Sequence, residues 1–334
     1  MEHKTKNEQG GFMKVGILGT GAYGLALAFS FLENTKDITM WTKLPQEYEE
    51  IITTRENKRV LKGIHIPESI HFTLNMEEAI AGKDLIVIAI PTEYIDSILE
   101  DLKKYIQNQI VLIASKGISE DGMFIRDKIK TFISDDKIAV ISGPSFAIDL
   151  ANHVPIGLSL ASTSNDTIKL VDQALSGKRL KLRKTNDVLG VEICGAIKNV
   201  IAIASGILDG MNYPISTKAM LITESLHDIK NIIFSLGGDK KTILSFAGFG
   251  DILLTCTSEK SRNYSFGRTI GIGNHEEIQE YMNTHTIEGL TTIYGIRKMM
   301  EHTHIEMPMI SLIYDIINEK QEKEALLDFL ITKE

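Results

Sequence analysis

A doubly wound α/β domain followed by an all-helical domain is the architecture this 334-residue sequence predicts. Three observations carry that prediction. Short apolar runs without strict alternation recur through the first half, as strands buried on both faces of a parallel sheet require. Stretches of helical periodicity lie between them, and alternating β and α elements imply a sheet with helices on both faces. After about residue 188 the strand-like runs stop and long helical patterns take over. A single core rarely grows past about 250–300 residues, so two domains are expected. They divide as residues 13–188 and 189–334, after a tail of residues 1–12.

The tail, MEHKTKNEQGGF, is polar and mixed in charge, with no apolar segment of the kind that directs export, and reads as short and flexible. MKVGILGTGAYGLALAFSFLEN (13–34) is an apolar strand, a glycine turn and a helix. DITMWT (37–42) supplies a second strand. Three more follow in DLIVIAIPT (84–92), QIVLIASKG (109–117) and KIAVISGPS (137–145), with helices expected over 93–106 and 122–133. PIGLSLAS (155–162) and RLKLRKT (179–185) are candidates for two further strands. Beyond them, 191–207, 217–237 and 287–302 read as helices separated by Gly-, Asn- or Ser-rich turns.

Composition narrows the function classes. Hydrophobic residues at 43% and charged residues at 24% are ordinary for a soluble globular protein. A formal charge of −8 argues against a general nucleic-acid binder, yet leaves room for a small anionic ligand held by a few local cations. Cys194 and Cys256 lie in apolar contexts and suggest reduced thiols in the cytoplasm rather than a disulfide framework. No apolar run approaches the roughly 20 residues of a membrane span, so no integral membrane segment is expected.

The first chemical motif is Gly19-Thr20-Gly21-Ala22-Tyr23-Gly24, a G-x-G-x-x-G pattern. Alone it is weak, but here it follows a strand and opens a helix, the context of a Rossmann-like dinucleotide site. Gly19 permits the tight turn, Gly21 lets backbone approach a pyrophosphate, and Gly24 lets helix and strand pack closely. The helix N-terminus then faces the anion. An NAD-selective site usually carries an acid about 20 residues later, at the end of the second strand. Here that strand ends Met40-Trp41-Thr42-Lys43 with no acid. Lys43 either meets a 2′-phosphate, which tilts the site toward NADPH or tolerance of both cofactors, or is a solvated surface lysine.

Ligands of open parallel sheets bind beyond the carboxyl ends of the strands. Those ends carry Lys116, Gly143 and Ser145, so Lys116 is a candidate for the crevice and an ordinary strand-end lysine otherwise. In the helical half, Asp251 precedes an apolar run and is either a helix cap or a functional acid. Ser261-Arg262-Asn263 is a donor cluster suited to a phosphate, or an exposed loop. The histidines show no zinc-ligand spacing, and no metal site is expected. Lys198 is the sharpest anomaly. It sits inside an apolar helical run whose neighbours three and four positions away are Cys194, Gly195, Ile201 and Ala202, none of them acidic. Such a lysine either snorkels to water or points into a site that needs a positive charge.

GTGAYG, VLIASKGI, VISGPSFA, GVEICGAIKNVIAIASGILDG, GFGDILLTCTSEKSRN and IEG, in that order, together resemble the bacterial NAD(P)-dependent glycerol-3-phosphate dehydrogenases over about residues 13–320. The resemblance implies reversible reduction of dihydroxyacetone phosphate to sn-glycerol 3-phosphate with NAD(P)H, feeding glycerophospholipid synthesis, and it suggests a homodimer. It implies a catalytic set of Lys198, Asp251 and Lys116, with Lys198 at a domain interface, Asp251 orienting it and Lys116 beside the substrate. Substrate contacts are implied for Lys116, Gly143, Ser145, Lys198, Asp251, Ser261, Arg262 and Asn263. Cofactor contacts are implied for Tyr23, Lys43, Lys116, Ala147, Arg262, Thr286 and Glu288, beside Gly19, Gly21, Ala22 and Gly24 of the turn. Departures from the family pattern are Ala22 for a serine, Leu44 for a polar or basic residue, and Glu224 where many relatives carry arginine; Phe249 and Thr286 are milder. Two other readings fit parts of the sequence: a related two-domain hydroxy-acid or sugar-phosphate dehydrogenase, and a non-catalytic NAD(P)-sensing protein.

Overall fold

The computed structural model describes residues 13–333; the tail expected over residues 1–12 lies outside the described residues. Two compact units form. The first takes residues up to Ser115, then Arg126–Ile141 and Ser145–Val188; the second takes Lys116–Ile125, Ser142–Pro144 and Leu189–Glu334. Val188 closes the last stretch of the first unit, and Leu189 opens the long stretch of the second. Two short excursions from the strand ends also group with the helical unit.

The first unit is an eight-stranded sheet: β1 (Val15–Leu18), β2 (Ile38–Trp41), β3 (Ile70–Thr73), β4 (Leu85–Ile88), β5 (Ile110–Ile113), β6 (Ile138–Ser142), β7 (Ile156–Ser162) and β8 (Leu180–Thr185). Their order across the sheet is β3-β2-β1-β4-β5-β6-β7-β8. Pairing is parallel from β3 through to β6, with Val15 opposite both Ile38 and Leu85, and parallel again between β7 and β8. The end of β7 lies beside the start of β6, where the Ser162 hydroxyl donates to the Ile138 carbonyl at 2.6 Å. β7 therefore runs against β6. Chain order reverses between β1 and β4, so the crevice such sheets use for ligands opens at the end of β1.

Burial explains which elements the sequence revealed. β1, β2 and β4 are buried at every position, hence their unbroken apolar runs. β3 is buried only at its two ends, with His71 exposed between, and the sequence reading passes over it. The helix Pro45–Thr54 is likewise unanticipated, since Ile51 is its one buried residue. β8 alternates exposed Lys and Arg with half-buried Leu, charges that protect an open sheet edge from further pairing. The single helix expected over 93–106 is instead two 3₁₀ turns, Thr92–Tyr94 and Asp96–Ile98, then a helix from Leu99 to Tyr105. That expected over 122–133 shortens to Ile125–Ile129.

The second unit is built on the helix Val188–Gly210. It is 23 residues long and holds an 18-residue stretch of mean hydropathy 1.7, so a run long and apolar enough to cross a bilayer does exist, contrary to the sequence reading. Of that stretch 94% is buried inside the protein, as in a core helix. Further helices include Ile215–Ser235, Asp251–Cys256, Arg262–Ile272 and Glu288–Thr303. No strand occurs after β8 among the described residues. The helices Val188–Gly210 and Arg262–Ile272 touch backbone to backbone. A Cβ at Gly206 would lie 2.0 Å from the Tyr264 carbonyl oxygen, and one at Gly267 would lie 1.9 Å from that of Ile203. Gly210 and Gly271 repeat the contact one turn on.

Candidate active site

In the first unit, β1 runs directly into the glycine turn. Gly19 has φ +115, a conformation L side chains rarely adopt, and donates its N–H to the Trp41 carbonyl at 2.9 Å. Gly21 is the N-cap of the helix Ala22–Phe31 with no side-chain cap, and a Cβ there would meet nothing within 4 Å. At Gly24 a Cβ would lie 2.4 Å from the Gly19 carbonyl oxygen, so the helix starts hard against the turn. The result is a helix N-terminus with uncapped N–H groups and open space in front of it. That is the cradle a pyrophosphate needs, and these residues fit a dinucleotide.

The other first-unit candidates are distributed around this turn's sequence neighbours and the β6 end. Half-buried Tyr23 accepts a hydrogen bond from the Ser145 hydroxyl at 3.2 Å, bringing those two together. Ala147 begins the helix Ala147–Ala151. Lys43 is solvent-exposed in the loop after β2.

In the second unit, the fold supplies Lys198 with the partner its own helix lacks. Its Nζ donates to Asp251 Oδ1 at 2.9 Å and to Thr255 Oγ1 at 3.0 Å. Lys116 Nζ donates to the other carboxylate oxygen, Asp251 Oδ2, at 3.0 Å and to the Gly143 carbonyl at 3.3 Å. Asp251 is therefore no cap: the N-cap position is Gly250, and the carboxylate bridges two lysines. Lys198 is 6% exposed and Asp251 is 1% exposed, so this is a desolvated cluster. Two ammonium groups on one carboxylate leave a net positive charge in a poorly solvated place.

The electrostatics follow from that burial. Desolvation lowers the Lys198 pKa, assisted by Lys116 and opposed by Asp251. For Asp251, burial pushes the carboxyl upward, but Lys116 and Lys198 outweigh it and hold the group below its ordinary range. The neighbouring Cys256 thiol is pushed up by burial, which makes it an inert core group rather than a nucleophile.

A second hydrogen-bonded set lies one residue further along the same helix. Asn199 Nδ2 donates to Glu288 Oε2 at 3.2 Å, and Asn263 Nδ2 donates to Asn199 Oδ1 at 3.0 Å. Asn263 Oδ1 accepts from the Gly289 N–H at 2.9 Å. Ser261 caps the helix Arg262–Ile272, accepting from the Tyr264 N–H at 3.3 Å, while Arg262 is exposed at its first position. Thr286 is half-buried ahead of Glu288. The sequence reading did not include Thr255 or Asn199 in the site. An asparagine inside an apolar helix beside Lys198 was the available signal for Asn199; Thr255 gave none. Ser142, 2% exposed, is also new: its hydroxyl has no partner among the described residues and would crowd a Cβ at Gly195.

A glycine turn that fits a dinucleotide in one unit and a buried, lysine-centred cluster in the other are the features of a nicotinamide-nucleotide-dependent oxidoreductase. Residues 14–168 match the N-terminal domain, and residues 187–328 the C-terminal domain, of the NAD-dependent glycerol-3-phosphate dehydrogenases. The chain belongs to that family. It is 34% identical over 324 residues to glycerol-3-phosphate dehydrogenase (NAD(P)+) of Thermoanaerobacter sp. strain X514, covering 96% of this chain and 98% of that one. The same-named protein of Fusobacterium nucleatum is 32% identical over 328 residues, covering 96% and 97%. The crystal structure of glycerol-3-phosphate dehydrogenase from Coxiella burnetii superposes with a TM-score of 0.90 at 28% identity, covering 96% of this chain and 99% of that one.

Proposed function

We propose that this chain catalyses the reversible reduction of dihydroxyacetone phosphate to sn-glycerol 3-phosphate with NADH or NADPH. The observation that carries the reading is the state of Lys198. An ammonium has three N–H donors, and two of them are taken by Asp251 and Thr255. The third is unengaged among the described residues and is available to a substrate oxygen. A bound nicotinamide supplies the hydride.

Hydride arrival at a ketone carbon throws negative charge onto the carbonyl oxygen. The Lys198 ammonium stabilises that charge and donates its proton there. Its depressed pKa brings the donor closer to the operating pH than a solvated lysine would be. Asp251 holds the Nζ in position, and Thr255 accepts a second N–H while its own hydroxyl donates a hydrogen bond to the Asp251 backbone carbonyl at 2.6 Å. Lys116 keeps the cluster net cationic, which favours an anionic substrate. The Arg262 fork and the Ser261 turn are assigned to the substrate phosphate, where a planar guanidinium binds bidentately. Gly143, Ser145 and Asn263 complete the substrate set. Tyr23, Lys43, Ala147, Thr286 and Glu288 are assigned to the nucleotide, with the 19–24 turn on its pyrophosphate.

Family likeness supports extending the reading to a cytoplasmic homodimer that feeds phospholipid synthesis. The main test is loss of reduced-nicotinamide absorbance on adding dihydroxyacetone phosphate, with pyruvate and ketopantoate as controls. Oxidation with dihydroxyacetone phosphate alone supports the proposal, and equal turnover of the keto acids rejects it. Sedimentation equilibrium separates a dimer from a monomer.

A further inference from the structure

Dinucleotide folds that favour NAD place an acid on the adenosine ribose, roughly 20 residues after the glycines, at the end of the second strand. β2 ends at Trp41, and Thr42-Lys43-Leu44 that follow contain no acid. The fold returns one from further along. Glu47, in the first turn of the helix Pro45–Thr54, turns its carboxylate back toward the glycine turn. Its Oε2 accepts from the hydroxyls of Thr20 and Thr42, each at 2.6 Å. Its Oε1 accepts from Asn57 Nδ2 at 2.8 Å, and Asn57 also donates to the Thr20 carbonyl at 3.2 Å. Thr20 is the middle residue of Gly19-Thr20-Gly21, and Thr42 is the first residue past β2. The carboxylate is therefore tied to both elements that border an adenosine ribose.

We propose that Glu47 sets the choice between the two nicotinamide nucleotides and makes this enzyme favour NADH; the inference rests on the dinucleotide reading above. A carboxylate has about four acceptor positions. Three are engaged by Thr20, Thr42 and Asn57, which leaves one on Oε1 for a ribose hydroxyl. Glu47 is half-buried and reachable, while the three residues that hold it are buried. A 2′-phosphate has no proton to offer there and brings like charge against a fixed anion. Lys43 is the opposing influence. It is solvent-exposed on a flexible stem and must be ordered before it helps, whereas Glu47 is already held.

The sole tryptophan, Trp41, ends β2, so its fluorescence reports nucleotide binding without turnover. Dissociation constants for NADH and NADPH are measured by titration of the wild-type chain, Glu47→Gln and Glu47→Asp. The wild type should bind NADH at least tenfold tighter than NADPH. Glu47→Gln should shrink that ratio at least fivefold, chiefly by improving NADPH. Glu47→Asp keeps the charge and should keep most of the ratio. The ratio is the readout because a merely loosened turn weakens both nucleotides alike. Equal or tighter NADPH binding by the wild type overturns the proposal, as does an unchanged ratio in Glu47→Gln or an equal shift in Glu47→Asp. Quenching by neither nucleotide overturns the dinucleotide reading and this inference with it; quenching by both without discrimination overturns only the role of Glu47.

Discussion

Lys198 and Asp251 are 53 residues apart, and Lys116 and Asp251 are 135 apart, yet one carboxylate joins all three. Replacing Lys198 by Met removes the proposed proton donor. Turnover should fall by about 10²–10⁴-fold, while nucleotide affinity measured by fluorescence stays within about twofold. Retained turnover would move the donor elsewhere. The pH dependence has a definite sign. Ketone reduction needs protonated Lys198, so kcat/KM for reduction should decline as pH rises through its lowered pKa, and alcohol oxidation, which needs the free amine, should rise. Asp251→Asn leaves the buried Lys198 ammonium and the half-buried Lys116 ammonium without their anion and should cost about 3–5 kcal/mol by thermal or denaturant unfolding. The acid limb carries its own signature. The folded Asp251 pKa is depressed, so its stabilisation is complete above the unfolded value and is lost as pH falls through the folded one. The three residues were legible individually, as a lysine in an apolar helix, a lysine at a strand end and an aspartate before an apolar run. Only the family resemblance placed Asp251 on Lys198; the residues themselves did not, and Lys116 on the same carboxylate was not anticipated, because side-chain contacts across such separations leave no local periodicity to read.

The glycine turn and its helix separate binding from folding cleanly. Gly21 has φ −62 and empty space where a Cβ would go, so Gly21→Val should fold with a melting temperature near the wild-type value yet lose nucleotide binding. Gly24→Val faces the Gly19 carbonyl oxygen instead, and overpacking against backbone should cost at least about 1–3 kcal/mol. If Gly21→Val bound nucleotide normally, the open space would not be the pyrophosphate cradle. This pair was readable from the motif because strand, turn and helix are contiguous. The 93–106 segment was not. Buried Ile95, Ile98 and Leu102 are spaced three then four apart, and an i+3 spacing is served as well by a 3₁₀ turn as by an α-turn. Glu47 escaped for another reason: the expected acid belongs to a strand end, and this one reaches that end from the following helix.

Across the whole chain, a net charge of −8 coexists with a locally cationic cluster, and the two act at different ranges. Screening limits the diffuse surface charge to about 8 Å at physiological ionic strength, whereas Lys198 is buried and Lys116 half-buried. NADH at 100 times its dissociation constant should raise unfolding stability by about 2.7 kcal/mol, with no comparable gain from adenosine alone; equal shifts from both would deny a site for the whole dinucleotide. Glu224, the charge reversal noted in the sequence, finds its counterion within the chain: Lys333 Nζ lies 3.0 Å from Glu224 Oε2 and 2.7 Å from Asp228 Oδ1. The paired glycines of the helices Val188–Gly210 and Arg262–Ile272 have a consequence of another kind. What opposes Gly206 and Gly267 is peptide carbonyl, which no substitution can shrink. A side chain added at either position must push the two helices apart, so alanine at both should cost less than the sum of the two single penalties. The stretch bearing Lys198 and the stretch bearing Asn263 are thereby locked as one piece, free to vary in what they display and barred from drifting apart.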